Sequence, residues 1–124
     1  MIHKLYSAYD LPADHDTCHL FEHLIIRRFL KETEKAGGNR AFTGELDGTT
    51  SESSVFFTSA LFTSKSNTLF EKTINDITPF EISLIQQSIS HIEAEMQSNI
   101  DIADMTPLQE QLALCQKYFI DSQK

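Results

Sequence analysis

Cysteine is scarce in this chain. Only Cys18 and Cys115 occur among 124 residues. They fall in different predicted helices, at no spacing typical of a disulfide framework or a cysteine metal site. We therefore expect two free thiols in a reducing compartment and no disulfide between them.

Basic residues and long apolar runs are also few. No run is long enough to span a bilayer, and the N-terminus has no secretory signal pattern. Ten Lys and Arg residues against 18 Asp and Glu give a formal net charge of -8, which repels nucleic acid and anionic membranes. We expect a soluble cytoplasmic protein without nucleic-acid or membrane partners. The charge is compatible with neutral or basic peptide ligands.

Three short strands are predicted. The first covers His3–Ala8, and two more cover Arg40–Leu46 and Ser53–Ala60, the last being rich in valine and phenylalanine. Asp47-Gly48-Thr49-Thr50 has the composition of a hairpin turn between the second and third strands.

A long helix is predicted over Cys18–Glu34. Asp16 or Thr17 is its predicted cap, and Gly37-Gly38 is its predicted end. Its first turns are apolar nearly all round, which predicts a buried helix; the apolar residues are Leu20, Phe21, Leu24, Ile25 and Ile26.

Three further helices follow. One is predicted over residues 66–76. Thr78-Pro79-Phe80-Glu81 combines a cap, a proline at the first helical position and a capping-box glutamate, which predicts a helix from there to about Ser98. Thr106-Pro107-Leu108-Gln109 starts the last helix in the same way. The predicted fold class is α+β, with helices packed on a small antiparallel sheet, in a single domain over residues 1–124.

His19-Leu20-Phe21-Glu22-His23 forms an H-x-x-E-H motif in the first helix. Positions i and i+4 share a helix face, so both imidazoles can reach one metal ion, and the glutamate at i+3 lies beside them. Zinc hydrolases need two such nitrogen ligands, a third protein ligand and an open position for water. The motif predicts a zinc site with Glu22 as general base.

The motif has a less specific interpretation. On a helix with one exposed face, the three side chains would simply be solvated, and the spacing would be accidental. Against this, burying two histidines and a glutamate on an apolar helix costs several kcal/mol without partners, and a metal ion satisfies all three.

These residues resemble the pitrilysin and insulinase family of zinc peptidases. Cys18–Leu24 is similar to the family's H-x-[LFC]-E-H helix, and residues 37–43 are similar to its Gly-Gly and N-A-x-T segment, with Arg40 in place of the usual asparagine. Val55-Phe56-Phe57 resembles the aromatic strand that follows. The resemblance covers about residues 16–100 and implies part of a pitrilysin-type domain.

The resemblance also implies a third zinc ligand, which is Glu95 in Ala94-Glu95-Met96. Helical periodicity alone favours Glu93, which lies slightly nearer the centre of the apolar stripe, so both glutamates stay open. Seven residues before the third ligand, the family has another glutamate where this chain has Ser88. That departure removes a supporting acid.

The family binds substrates by adding the peptide as a strand to an exposed sheet edge. The matching residues here are Arg40, Ala41, Phe42 and Thr43, which would otherwise form an ordinary edge strand. Family members join homologous domains into a chamber, so the resemblance implies a homo-oligomer or a second peptidase-family subunit as partner.

The sequence is therefore compatible with three alternative functions. The first is a zinc metalloendopeptidase with His19, His23 and Glu95 as ligands. The second is a non-catalytic subunit that binds metal or peptide beside another peptidase-like chain, and the third is a helical interaction protein with an accidental motif. The remaining histidines, His3, His15 and His91, are assigned no role, and Cys18 is expected to be a small buried side chain.

Overall fold

The computed structural model of the chain describes residues 2–37, 44–61, 64–96 and 105–123. It is an α+β fold, as predicted. The elements in chain order are β1 (Ile2–Ala8), α1 (His15–Lys35), β2 (Gly44–Ser51), β3 (Ser54–Leu61), α2 (Ser64–Ile74), α3 (Ile82–Met96) and α4 (Met105–Ser122).

The three strands form one antiparallel sheet in the order β1-β3-β2. The central strand β3 pairs with both neighbours, so that Val55 lies opposite Ala8 on one side and Thr50 on the other. Side chains alternate between the two faces of a strand, and Val55, Phe57 and Ser59 point to the buried face. The predicted strands over residues 3–8 and 53–60 are confirmed.

The predicted turn over Asp47–Thr50 is wrong. These residues lie inside β2, and the hairpin turns at Glu52 and Ser53 instead, with Glu52 in the left-handed region at a φ of 54°. Glycine is common in turns, but Gly48 lies in a strand, at the point where a helix packs closely against it. The first part of the predicted strand, Arg40–Thr43, lies outside the described residues.

Helix α1 begins earlier than predicted. The Asp14 carboxylate accepts a hydrogen bond of 2.8 Å from the Thr17 amide, so Asp14 is the cap, and neither Asp16 nor Thr17 has that position. At the other end, Gly37 has a φ of 81°, which confirms the predicted stop. Its neighbour Gly38 lies outside the described residues.

Helix α1 is the centre of the packing. It contacts β2 and β3 of the sheet and all three other helices, and its burial confirms the prediction of a buried helix. α2 also contacts β3, and α4 also contacts β1. The largest fully buried side chains are Phe21, Phe29, Phe57, Phe70, Phe119, Leu20, Leu24, Ile25, Ile85, Ile89 and Ile92.

Helix α3 begins at Ile82, so the predicted start at Thr78-Pro79 is wrong. Tertiary contacts hold this connection in a non-helical path. Arg28 of α1 donates a hydrogen bond of 2.8 Å to the Thr78 carbonyl, and its guanidinium lies 3.9 Å from the centre of the buried Phe80 ring. The predicted helices near residues 66–76 and from Thr106 onward are confirmed within one or two residues.

Cys18 and Cys115 are both free and buried. They lie in different helices, α1 and α4, but the two thiols meet in the core. A hydrogen bond with Cys18, together with burial, raises the pKa of the Cys115 thiol. Within the described part of the chain, no helix is long and apolar enough to cross a bilayer.

Candidate metal centre

His19, Glu22 and His23 come together on one side of α1. Their potential ligand atoms all lie within 4.8 Å of one another. The Nε2 atoms of His19 and His23 are 3.1 Å apart. Two nitrogens held by one tetrahedral zinc at about 2.0–2.1 Å lie about 3.3 Å apart. The observed spacing is that of a hydrogen bond between the two rings, and it is also close to the spacing that one shared ion requires. Imidazole nitrogens are ligands that suit zinc.

The three side chains are not ordinary solvated groups. Glu22 is buried, with 6% of its surface exposed, and the His23 side chain is 16% exposed. Burying a carboxylate is costly unless it is hydrogen-bonded or near a positive charge. The structure therefore does not support the interpretation that the motif simply projects into water.

Strand β2 fixes the orientation of Glu22. The Thr50 hydroxyl donates a hydrogen bond of 3.1 Å to Glu22 Oε1. The second oxygen, Oε2, lies 3.9 Å from His23 Nε2. One carboxylate oxygen is thus anchored on the sheet, and the other points toward the histidine pair.

Gly48 provides the space that Glu22 occupies. A Cβ atom at position 48 would lie 2.7 Å from Glu22 Cγ and 2.9 Å from Ile26 Cδ1. Real Cβ atoms essentially never approach other atoms so closely. Gly48 and Thr50 are two residues apart in β2 and therefore share the strand face that meets α1.

Helix α3 also reaches the site. The ring of His91 lies 5.5 Å, centre to centre, from the ring of His23. His91 is exposed, as expected for a surface histidine, but it stands next to the candidate metal centre. The side chains of Glu93 and Glu95 lie outside the described part of the structure.

A further histidine lies one turn before His19. The rings of His15 and His19 are stacked with centres 6.1 Å apart. The Nδ1 atom of His15 is 3.0 Å from the Glu52 carbonyl, which can only accept, so Nδ1 carries the proton. Glu52, which has the left-handed conformation, is thus also the residue through which the hairpin contacts α1.

Two parts of the predicted site have different outcomes. The structure brings His19, Glu22 and His23 together, whereas Arg40, Ala41, Phe42 and Thr43 lie outside the described residues. Ser88 is completely buried, and its hydroxyl has no hydrogen-bond partner among the residues that the structure describes.

Sequence reasoning missed Gly48, Thr50 and His91. The two β2 residues were assigned to a turn, although their spacing of two is also that of a strand face. His91 had a clearer signal, since it precedes Glu95 by four residues and so belongs to the same helix face.

Comparisons with protein-family models, with curated proteins and with solved structures give no match. We therefore infer function from the side chains of the site.

Proposed function

We propose that this protein is a zinc-dependent metalloendopeptidase that hydrolyses peptide bonds, with His19, His23 and Glu95 as metal ligands and Glu22 as the general base. The observation that carries the proposal is the 3.1 Å separation of the two Nε2 atoms beside a buried carboxylate. The resemblance of the motif to the pitrilysin family supports it.

A bound zinc ion would lower the pKa of a water molecule to about 7 and polarise the peptide carbonyl. The residues of the chain supply the proton transfers. Glu22 accepts the proton of the attacking water through Oε2, because Oε1 is engaged by Thr50. The carboxylic acid then gives this proton to the departing amine, which restores the carboxylate.

The position of Glu95 in α3 supports its role as the third ligand. It follows His91 by four residues, whereas Glu93 follows by two and falls about 200° around the helix. The His91 ring lies beside the His23 ring. The part of α3 that contains His91 is thus adjacent to the histidine pair.

The proposed substrate is a peptide in extended conformation. Strand β2 is an edge of the described sheet, and its residues Gly48 and Thr50 contact or approach Glu22. A peptide paired with this edge would lie beside the general base, held by main-chain hydrogen bonds. Residues 40–43, which precede β2, remain the proposed substrate-binding segment.

The first experiment is metal analysis of gently purified protein. We expect about one zinc per chain, and a stoichiometry near zero would rule out a zinc enzyme. Peptide cleavage by wild type is then compared with Glu22→Gln, a nearly isosteric change that removes the base. Hydrolysis should disappear while zinc stays bound. Equal turnover in both proteins would remove Glu22 from the mechanism.

A non-catalytic metal- or peptide-binding subunit is the second candidate. The buried Ser88 favours it, because a family-type acid is replaced by a small side chain in a closed environment. Zinc binding without hydrolysis, in wild type and Glu22→Gln alike, would identify this function.

A further inference from the structure

An open groove runs between α1 and α3, next to the candidate metal centre. Its volume is about 610 Å³. His91, whose ring neighbours that of His23, lies at one part of it. The lining residues are Arg27, Ser83, Gln86, Gln87, Ser90 and His91.

Among the residues that the structure describes, those that line the groove include a cation and no acid. None of its six lining residues is acidic, although the chain has 18 Asp and Glu residues and a net charge of -8. The half-buried Arg27 makes no hydrogen bond, ion pair or ring contact with the residues that the structure describes. A guanidinium in this situation favours a carboxylate, which it can bind through two parallel hydrogen bonds.

The adjacent arginine shows the contrast. Arg28 donates to the Asp76 and Thr78 carbonyls, lies over the Phe80 ring and is 4.0 Å from the Asp76 carboxylate. These contacts account for an arginine at position 28. Arg27 has no such contacts with any residue in the described ranges, and the amides and hydroxyls around it can supply further hydrogen bonds to a ligand.

We propose that this groove is a substrate subsite that binds a carboxylate of the peptide, either an acidic side chain or the C-terminal carboxylate. The location relative to the cleaved bond rests on the proposed peptidase function. Arg27 lies one helical turn, about 6 Å, beyond His23. An extended peptide covers that distance in about two residues, so the carboxylate belongs two or three residues from the cleaved bond.

This local preference differs from the one expected from net charge. A chain of charge -8 repels acidic peptides at long range, but contacts at a few ångströms are set by the groups that line the groove. The subsite would therefore select acidic residues within substrates whose overall charge is neutral or basic.

The test measures binding of labelled peptides to zinc-loaded Glu22→Gln protein, in which cleavage is blocked. Otherwise identical capped peptides carry Glu, Gln or Lys two or three residues from the intended cleavage site. A fourth peptide carries Gln and a free C-terminal carboxylate, which separates the two sources of the anion. We expect one carboxylate peptide to bind about tenfold more tightly than the capped Gln peptide.

Adding Arg27→Gln should reduce this preference to within about twofold, and Arg27→Glu should invert it in favour of the Lys peptide. Lys117→Gln is the matched control, because it removes the same charge from an exposed position of α4 outside the groove. Circular dichroism melting curves establish that each variant is folded. Equal affinities for all four peptides, no binding of any peptide, or a preference that survives Arg27→Gln would overturn the proposal.

Cleavage by the wild type separates this proposal from the peptidase function. Hydrolysis without a preference for carboxylates would support the peptidase function and exclude the subsite. If the wild type cleaves nothing but peptide binding still shows a carboxylate preference that depends on Arg27, the groove is a binding site and the peptidase function is excluded.

Discussion

The two flanks of helix α1 are built differently around the same motif. On the β2 flank, Gly48 leaves no room for even one added carbon, and Thr50 holds one oxygen of Glu22. On the α3 flank, an open groove with polar walls begins at His91. One flank fixes the Glu22 carboxylate closely, and the other leaves space beside the motif.

This difference indicates a division of roles. A general base requires close positioning, because a displacement of about 1 Å can cost about a hundredfold in rate. A binding groove instead requires access and hydrogen-bonding groups. If the proposed function is correct, changes on the β2 flank should reduce kcat, whereas changes on the α3 flank should affect substrate affinity.

The largest effect is expected from loss of a proposed metal ligand, His19, which lies between the two flanks. His19→Ala removes one of the two converging Nε2 atoms, so zinc should fall to near zero per chain and activity by more than about a hundredfold. His15→Ala is the control on the preceding turn and should retain zinc. A His19→Ala protein with full zinc content would show that the histidine pair is not the metal site.

Gly48→Ala tests the close fit of the β2 flank. The new methyl group must displace Glu22 or the strand, so we expect kcat to fall about ten- to a hundredfold and the unfolding free energy to fall by about 1–3 kcal/mol. Thr49→Ala, on the exposed face of the same strand, should change neither. Normal kcat in Gly48→Ala would mean that the flank is less rigid than its contacts indicate.

Thr50→Val tests the hydrogen bond to Glu22 while keeping the side-chain packing of Thr50. Valine keeps the shape of threonine but cannot donate to Glu22, so kcat should fall about tenfold with KM nearly unchanged. Thr50→Ser restores the hydroxyl and should recover most of the rate. If Thr50→Val keeps full activity while Thr50→Ser loses it, the methyl group of Thr50 matters and the hydroxyl does not.

The sequence predicted the core of this site and missed its surroundings for a physical reason. Positions i, i+3 and i+4 of one helix meet whatever the rest of the fold does, so His19, Glu22 and His23 follow from local geometry. Gly48 and Thr50 approach Glu22 only because β2 packs on α1. That contact joins residues 28 positions apart, as Thr50 and Glu22 are.

The errors at element boundaries have the same origin. Asp47-Gly48 has the composition of a turn, yet Gly48 is needed where strand and helix come close. Thr78-Pro79 has the composition of a helix start, yet Arg28 holds the Thr78 carbonyl. In both places a tertiary contact overrides the local preference.

A smaller effect is expected on the α3 flank from His91→Gln. The imidazole is exposed, and its ring lies 5.5 Å from the ring of His23. We expect KM for a peptide substrate to rise about two- to fivefold, with kcat and zinc content nearly unchanged. Ile82→Ala, at an exposed position of α3 outside the groove, is the control for a nonspecific change in α3. A loss of zinc in His91→Gln would instead make His91 part of the metal centre.

The smallest effect is expected where α1 meets the connection before α3, away from both flanks. Burial tends to raise the pKa of Asp76, but hydrogen bonds from Thr78 and the charge of Arg28 outweigh it, so the pKa lies below its ordinary value of 3.8. A lowered pKa means that ionised Asp76 stabilises the fold above pH 3.8, and that this contribution disappears as the pH falls through the folded-state pKa. Because the side chain is 41% exposed, we expect Asp76→Asn to lower the unfolding free energy by no more than about 0.5 kcal/mol at neutral pH. Denaturant unfolding with a chelator present, so that zinc does not contribute, should show this difference constant from about pH 5 to 8 and shrinking below 3.8. If this difference in unfolding free energy instead grew on acidification, the pKa shift of Asp76 would have the opposite sign. The ion pair with Arg28 would then not stabilise the fold.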